Sequence, residues 1–184
     1  SPADYCFEAE ELDYYSLDST ALNGWFIQAK KETGKCITFI HGRTSNRLKT
    51  MKFLALADSL DLDSAYNFFI PDLRNSGKST PSKTYMGYKF GEDVTATLLM
   101  LNERFAQDTM ILYGFSMGAM AVGNALGRPE LSILLEKNQI VVEKIILDSP
   151  LANVKETLRD QSTEVLFGSI YFPEIFRKYS ASIN

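Results

Sequence analysis

The chain has 184 residues, 45% of them hydrophobic, and a formal net charge of −4 at pH 7. This length suits one domain with a sizeable buried core. The basic residues are scattered, which gives no electrostatic footprint for nucleic acid or for an anionic membrane surface, and no apolar run approaches the roughly 18 residues that span a bilayer.

Two features bear on the cellular compartment. The first residue is Ser1 rather than Met, which suggests that a leader, an anchor or a tag was removed upstream. Cys6 and Cys36 are too few for a disulfide framework, so two free thiols are preferred, and a single bridge stays open if the protein is exported. The compartment therefore stays open between the cytoplasm and an exported or membrane-anchored location.

The first strands are predicted to form a hairpin. Residues 8–17 and 21–29 are rich in Tyr, Trp, Phe and Ile and flank a polar turn at residues 18–20, a pattern typical of antiparallel strands. A strand at residues 36–40 is predicted next, followed by a helix at residues 48–60. A second strand at residues 65–70 ends before Pro71. Each of these two strands runs directly into a polar loop.

The second half of the chain continues the alternation after an irregular segment. Val94, Leu98, Leu101 and Phe105 stand at spacings of four, three and four, which predicts an amphipathic helix over residues 90–105. A strand is then predicted at residues 110–113, followed by one helix at residues 119–126 and a second that begins at Pro129. The final strand is predicted at residues 141–147. The aromatic tail, residues 151–184, is predicted to begin a lid or cap across the mouth of a site.

Alternating strands and helices predict an α/β fold. We expect a doubly wound, mostly parallel sheet with an N-terminal antiparallel hairpin on its edge, within a single domain over residues 1–184. In open sheets of this kind, ligands bind at the carboxyl ends of the parallel strands. The polar loops that follow the predicted strands are therefore the first places to look for a site.

The segment around Ser116 carries the strongest functional signal. Gly114, Ser116 and Gly118 form a G-x-S-x-G pattern between a predicted strand and a predicted helix, as in a nucleophile elbow. On such a turn the serine adopts strained backbone geometry that pushes its hydroxyl out of the sheet, and the glycines let the chain cross close by. Ser116 is therefore the candidate nucleophile, and a glycine-rich strand-to-helix connection is the alternative.

Four segments follow one another in an order typical of one family, at residues 36–42, 72–79, 113–118 and 147–150. With these motifs the chain resembles the α/β-hydrolase family, and most closely its bacterial serine hydrolases related to serine aminopeptidases and prolyl-oligopeptidase-type catalytic domains. The resemblance implies a serine hydrolase, either an esterase or a peptidase-like enzyme, that forms an acyl-enzyme and needs no metal or organic cofactor. It implies a small-molecule or peptide substrate with an acyl group.

The resemblance also implies roles for groups near the nucleophile. The backbone N–H groups of Met117 and Arg43 would form the oxyanion hole that stabilises the tetrahedral intermediate. His41 and Gly42 would be structural residues of the loop that carries one of these donors. The Arg43 side chain itself could favour an acidic substrate or be a solvated surface group.

The catalytic base is not accounted for by this sequence. In the family the histidine lies late in the chain, after the acid, whereas His41 is the only histidine here and precedes Ser116. The resemblance therefore predicts that the triad acid and histidine lie beyond residue 184, and that the chain corresponds to the N-terminal two-thirds of a hydrolase. His41 as the base, and a degenerate relative without a base, are the alternatives.

Charged residues at the predicted strand ends have two interpretations each. Asp148 is a candidate triad acid, or a strand-end residue that accepts hydrogen bonds from nearby loop amides. Asp72 and Arg74 could form an ion pair in the pocket or be substrate ligands, but a pair that fixes the loop is favoured. Asn75 stands where the family often has glycine, and Asn also tolerates the left-handed backbone that the turn requires.

Other functions are weighed on the same residues. Haloalkane and epoxide hydrolases of this fold use an aspartate at the position of Ser116, so these enzymes are disfavoured. A metal hydrolase is disfavoured as well, because one histidine without a His or Cys cluster cannot build a common zinc site. A non-catalytic binding module that keeps the fold is the alternative to an enzyme. Esters or small acyl compounds are preferred as substrates, while ester against amide and the oligomeric state stay open.

Overall fold

The computed structural model describes residues 2–5 and 7–149, which form a six-stranded sheet with helices on both faces. The strands are β1 (Glu10–Tyr15), β2 (Ala21–Ile27), β3 (Lys35–Ile40), β4 (Asn67–Asp72), β5 (Thr109–Phe115) and β6 (Val141–Asp148). The α-helices are α1 (Arg47–Thr50), α2 (Lys52–Ser59), α3 (Phe90–Phe105), α4 (Met117–Gly127) and α5 (Pro129–Lys137). Short 3₁₀ turns lie at Pro2–Tyr5, Leu62–Ser64 and Tyr85–Gly87.

The strand order across the sheet is β1-β2-β4-β3-β5-β6. β1 pairs with β2 and β2 pairs with β4 in antiparallel fashion, whereas β4, β3, β5 and β6 run parallel to one another. The predicted hairpin, the mostly parallel sheet and the α/β class are therefore confirmed. Because β3, β4, β5 and β6 are parallel, the loops after them meet at one end of the sheet.

The sheet is buried on both faces because neighbouring residues of a strand point in opposite directions. On one face, Cys36 and Ile40 of β3 join a cluster with apolar side chains of α3, α4 and α5. On the other face, Ile37 and Phe39 join a second cluster with Leu54 and other side chains of α2. Burial on both sides explains why residues 36–40 read as a nearly continuous apolar run.

Two predicted elements differ in detail from the structure. The helix predicted over residues 48–60 is divided at Met51 into α1 and α2. The Thr50 hydroxyl donates a hydrogen bond to the Asn46 carbonyl at 3.1 Å, and such side-chain bonds to the preceding turn distort helices. The strand predicted to end before Pro71 extends through it to Asp72, because the pairing of β4 with β3 ends at Phe69 and Pro71 faces only β2.

The sheet of the described residues ends at β6. Four apolar side chains of this strand, between 45% and 59% exposed, lie along it: Val141, Ile145, Ile146 and Leu147. Among the residues that the structure describes, no helix is both long and apolar enough to cross a bilayer. The lid predicted for residues 151–184 lies outside the described residues.

Candidate active site

Ser116 occupies a sharp turn between the end of β5 and the beginning of α4. Its backbone has φ 52° and ψ −115°, a conformation that is costly for any residue other than glycine. The surrounding chain holds it there, since the Ser116 N–H donates to the Asp148 carbonyl at 2.8 Å and the Ser116 carbonyl accepts from Ala119 N–H at 3.0 Å. The serine therefore stands in strained geometry on a strand–turn–helix junction, and the residue is half-buried.

The two glycines of the motif are required by close backbone contacts. A Cβ atom on Gly118 would lie 2.4 Å from the Ile40 carbonyl oxygen, and one on Gly114 would lie 2.7 Å from Ala119 Cα. Both distances are far inside the contact distance of carbon and oxygen atoms. The beginning of α4 therefore passes directly against the end of β3 because Gly118 has no side chain, and against the end of β5 because Gly114 has none.

A third glycine brings the loop after β3 against the serine. A Cβ atom on Gly42 would lie 3.1 Å from Ser116 Cβ and 3.0 Å from the Phe115 carbonyl oxygen. Arg43 follows Gly42 directly, and Met117 is the first residue of α4, where N–H groups have no acceptor within the helix. The structure thus brings the peptide groups of Arg43 and Met117 to the neighbourhood of Ser116 from two different segments.

Both ring nitrogens of His41 are engaged in hydrogen bonds. Nε2 accepts the Leu73 N–H at 3.0 Å, so the proton of the neutral ring is on Nδ1, which contacts the Gly42 carbonyl oxygen at 2.8 Å. The ring is buried, and this burial lowers its pKa below the ordinary value. No nitrogen of His41 is left for Ser116, so the interpretation of His41 as the base has no support in this geometry.

Asp72 fixes the loop that follows β4. Its buried carboxylate accepts the backbone N–H groups of Arg47 at 2.8 Å and Lys78 at 3.0 Å, and it forms an ion pair with Arg47 Nε at 3.3 Å. Gly77, with φ 52°, leaves the room that the carboxylate occupies, since a Cβ atom there would lie 1.9 Å from Asp72 Oδ2. Asn75 adopts the left-handed conformation expected of it, with φ 64°.

Arg74 has different partners from Asp72. Its buried guanidinium donates to Asp93 at 2.6 Å, to Asp18 at 2.8 Å and to the Ser16 hydroxyl at 3.0 Å. The expectation that Asp72 and Arg74 fix their loop as one pair is therefore wrong. The two side chains join the loop to separate elements, Asp72 to α1 and Arg74 to α3 and the hairpin turn.

Within the described part of the chain, the Asp148 carboxylate is hydrogen-bonded to hydroxyl groups and not to the loop amides that we expected. It accepts the Tyr113 hydroxyl at 2.5 Å and the Ser149 hydroxyl at 2.9 Å. The hydrogen bond from Tyr113 is the largest cause of a lowered pKa at Asp148, while burial together with the carboxylate raises the pKa of Tyr113. Tyr113 packs against Phe53 of α2, so Asp148 is held on the face of the sheet that α2 covers.

Sequence reasoning missed the side chains that hold these residues in place, namely Arg47, Asp93 and Tyr113. Asp93 stands in the first turn of α3, where acidic residues are common and usually exposed, and Arg47 is the first residue of the short helix α1. Tyr113 belongs to the apolar run of β5, and its hydroxyl donates to Asp148. Nothing in the local pattern distinguishes a buried ion pair from a solvated one.

A cavity of about 490 Å³ lies away from Ser116. Its lining includes Thr33 and Asn67, which stand at the amino ends of β3 and β4, together with Gln107 before β5. Ser116 and Asp148 lie at the opposite, carboxyl end of the same sheet. The cavity is therefore separate from the candidate active site.

The fold and the elbow together define the class of protein. A family model described as the alpha/beta hydrolase fold matches residues 35–182. The chain therefore belongs to the α/β-hydrolase fold family. No curated protein sequence matches it.

Solved structures of the same fold include enzymes of more than one activity. An esterase from Pyrococcus furiosus superposes with a TM-score of 0.73 at 24% identity, over 95% of this chain and 61% of that one. An esterase from Rhodococcus superposes with a TM-score of 0.55 at 19% identity, over 76% of this chain and 46% of that one. The epoxide hydrolase CorEH superposes with a TM-score of 0.53 at 14% identity, over 76% of this chain and 42% of that one. The chain thus spans less than two thirds of the length of these structures, and identities this low concern the fold alone.

Proposed function

We propose that the intact protein is a serine hydrolase that cleaves a carboxylic ester or amide through an acyl-enzyme at Ser116. The observation that carries this proposal is the backbone of Ser116, at φ 52° and ψ −115° between β5 and α4. Strained backbone of this kind persists only where the surrounding structure enforces it, and it is concentrated at functional sites. Three glycines and the hydrogen bond to the Asp148 carbonyl enforce it here.

In the proposed reaction the Ser116 Oγ attacks the acyl carbon and its proton passes to a base. The carbonyl oxygen becomes an oxyanion, which the N–H groups of Met117 and Arg43 stabilise. Loss of one such donor in other enzymes lowers kcat by about 10²–10³-fold. Because both nitrogens of His41 are occupied, we propose that the base is a histidine beyond residue 184, oriented by an acid that also lies there.

Esters are the favoured substrates within this proposal. Two of the structures described above are esterases, which supports an ester bond. The motifs also resemble those of serine aminopeptidases and prolyl-oligopeptidase-type domains, and we propose this branch as the source of a second candidate bond, the amide. Ester and amide cleavage share the same nucleophile and oxyanion donors, so the choice depends on loops around the site.

Active-site labelling tests the proposal. A fluorophosphonate probe applied to the intact protein is expected to modify wild type and to leave Ser116→Ala unlabelled. Ser59→Ala is the matched control, because Ser59 is an exposed residue at the end of α2 whose hydroxyl bonds only within its own helix. Peptide mapping of the adduct should identify Ser116.

A non-catalytic binding module is the second candidate. The observation that favours it is the engagement of both nitrogens of His41, the only histidine in the 184 residues. A well-folded intact protein that resists the probe would support this function, and it would contradict the hydrolase proposal.

A further inference from the structure

The side chain of Lys52, the first residue of α2, lies beside the elbow. Its Nζ atom is 5.8 Å from the centre of the Phe115 ring and 5.0 Å from the centre of the Phe53 ring. Phe115 directly precedes Ser116 and is 39% exposed. The ammonium group therefore lies over an exposed aromatic ring next to the nucleophile, at a distance where a cation is attracted to the face of a ring.

The Phe115 ring continues the surface around the serine. A Cβ atom on Gly42 would lie 3.3 Å from Phe115 Cδ1 and 3.1 Å from Ser116 Cβ, so both side chains border the same point. Arg43, which carries one of the proposed oxyanion donors, follows Gly42 directly. The serine, the ring and the loop after β3 thus form one surface, and Lys52 lies at its edge.

Positive charge on this surface is not neutralised by neighbouring carboxylates. Four of residues 43–57 are basic and none is acidic. Arg47 is buried and forms ion pairs, whereas Arg43, Lys49 and Lys52 are exposed and form no ion pair with the described residues. Lys49 Nζ donates to a carbonyl oxygen of the loop after β3 at 3.3 Å, which keeps its charge close to Arg43.

Asp148 is a carboxylate on the same face of the sheet. Its pKa is lowered mainly by the Tyr113 hydroxyl, and the charge of Lys52 adds to the lowering. The three exposed cations outnumber this carboxylate, although the chain as a whole has a net charge of −4. Charges of one sign around a site attract small molecules of the opposite sign. The surroundings of Ser116 consequently favour an anion.

We propose that Lys52 and Phe115 form a specificity subsite for substrates that carry a carboxylate a few bonds from the scissile ester or amide bond. The carbon atoms between the two groups lie against the Phe115 ring, and the carboxylate meets the Lys52 ammonium. This inference rests on the proposed hydrolase function and deepens it, because it names the substrate class. The same chemistry serves a carboxylate on the acyl part or on the leaving group, and the experiment separates the two.

Two pairs of matched substrates measure the preference of the intact protein. Mono-p-nitrophenyl adipate and p-nitrophenyl hexanoate have acyl chains of equal length, and only the first ends in a carboxylate. The leaving groups of p-acetoxybenzoate and p-acetoxybenzamide differ in the same way. For at least one pair, kcat/KM should be higher for the anionic substrate, and the difference should lie mainly in KM, because the carboxylate is bound before and during the reaction.

Substitution of Lys52 tests whether this residue supplies the preference. Lys52→Gln is expected to lower the ratio of kcat/KM for the anionic over the neutral substrate by about 3-fold, and Lys52→Glu by about 10-fold, since single exposed charge pairs have modest effects. Lys137→Gln is the matched control, because Lys137 is an exposed lysine at the end of α5, just before β6 begins at the opposite end of the sheet. This control should leave the ratio unchanged.

Salt gives a second measurement on wild type that depends on no variant. The preference should decrease between about 0.02 M and about 0.5 M NaCl, because exposed charges are screened over about 10 Å at 0.1 M salt and over less at higher concentration. Equal kcat/KM for both members of both pairs would overturn the inference. A preference that survives high salt, or that Lys52→Gln and Lys137→Gln change equally, would overturn it as well.

Labelling of wild type distinguishes failure of this inference from failure of the proposed function. A wild-type protein that reacts with a fluorophosphonate at Ser116 but does not prefer either anionic substrate would leave the hydrolase function standing and remove the subsite. A wild-type protein that neither reacts with the probe nor cleaves any of the four esters would remove both.

Discussion

Two glycines of the same helix allow a direct test of the elbow. A Cβ atom on Gly118, in the first turn of α4, would lie 2.4 Å from the Ile40 carbonyl oxygen and 2.6 Å from the His41 carbonyl oxygen. Gly123, five residues later in α4, is exposed, and a Cβ atom there would have no neighbour within 4 Å. Substituting alanine at each position adds the same methyl group to the same helix in opposite surroundings.

The expected magnitudes have opposite signs. At position 123 alanine is favoured over glycine by helix propensity, so Gly123→Ala should stabilise the protein by about 0.5–1 kcal/mol. At position 118 the methyl group would be more than about 1 Å inside the optimal contact distance of two backbone carbonyls. Overpacking of this kind costs about 1–3 kcal/mol, and rigid backbone on the other side puts Gly118→Ala at the upper end. After the gain in propensity, we expect a net loss of about 2 kcal/mol.

Urea unfolding followed by circular dichroism measures both changes. A difference of about 3 kcal/mol between the variants corresponds to a shift of about 1 M or more in the urea midpoint, given the usual denaturant slopes of roughly 1–3 kcal/mol per M. Gly118→Ala should also slow fluorophosphonate labelling at Ser116, whereas Gly123→Ala should not. The reasoning is refuted if Gly118→Ala is as stable as Gly123→Ala and labels at the same rate.

Three further changes probe the groups around the elbow. Arg74→Met leaves the fully buried Asp93 carboxylate without its guanidinium and should cost about 3–5 kcal/mol in urea unfolding; a loss below about 1 kcal/mol would contradict the buried ion pair. Burial lowers the pKa of His41, so below the ordinary value of 6.5 the unfolded chain binds a proton more readily than the folded protein. Its contribution to stability is therefore present above pH 6.5 and is lost as the pH falls, by up to about 1.4 kcal/mol per pH unit, and urea midpoints between pH 7.5 and 5 should fall more steeply for wild type than for His41→Gln. Tyr113→Phe removes the hydroxyl that holds the Asp148 pKa down, so a ¹³C-detected titration of this carboxyl should show the pKa rising toward its usual value, and an unchanged pKa would show that the hydrogen bond has no influence.

Local patterns in the sequence predicted much of the fold. Helix α3 begins and ends at Phe90 and Phe105, as its apolar spacing indicates, and Pro129 begins α5. The strand, the turn at Ser116 and the following helix also lie where the G-x-S-x-G pattern places them. These features depend on interactions between residues a few positions apart, which is why periodicity and the steric properties of glycine and proline are sufficient to predict them.

Only the tertiary structure decided which side chains meet near the elbow. The sequence contains one histidine, but its two ring nitrogens could be assigned only when Leu73, 32 residues away, was seen to donate to one of them. The carboxylate partners of Arg74 are Asp93 and Asp18 and not the nearby Asp72, because the loop after β4 turns Arg74 toward α3 and the hairpin turn. Contacts of this kind depend on strand order and on the direction in which buried groups find hydrogen-bond partners, and neither quantity is encoded in local spacing.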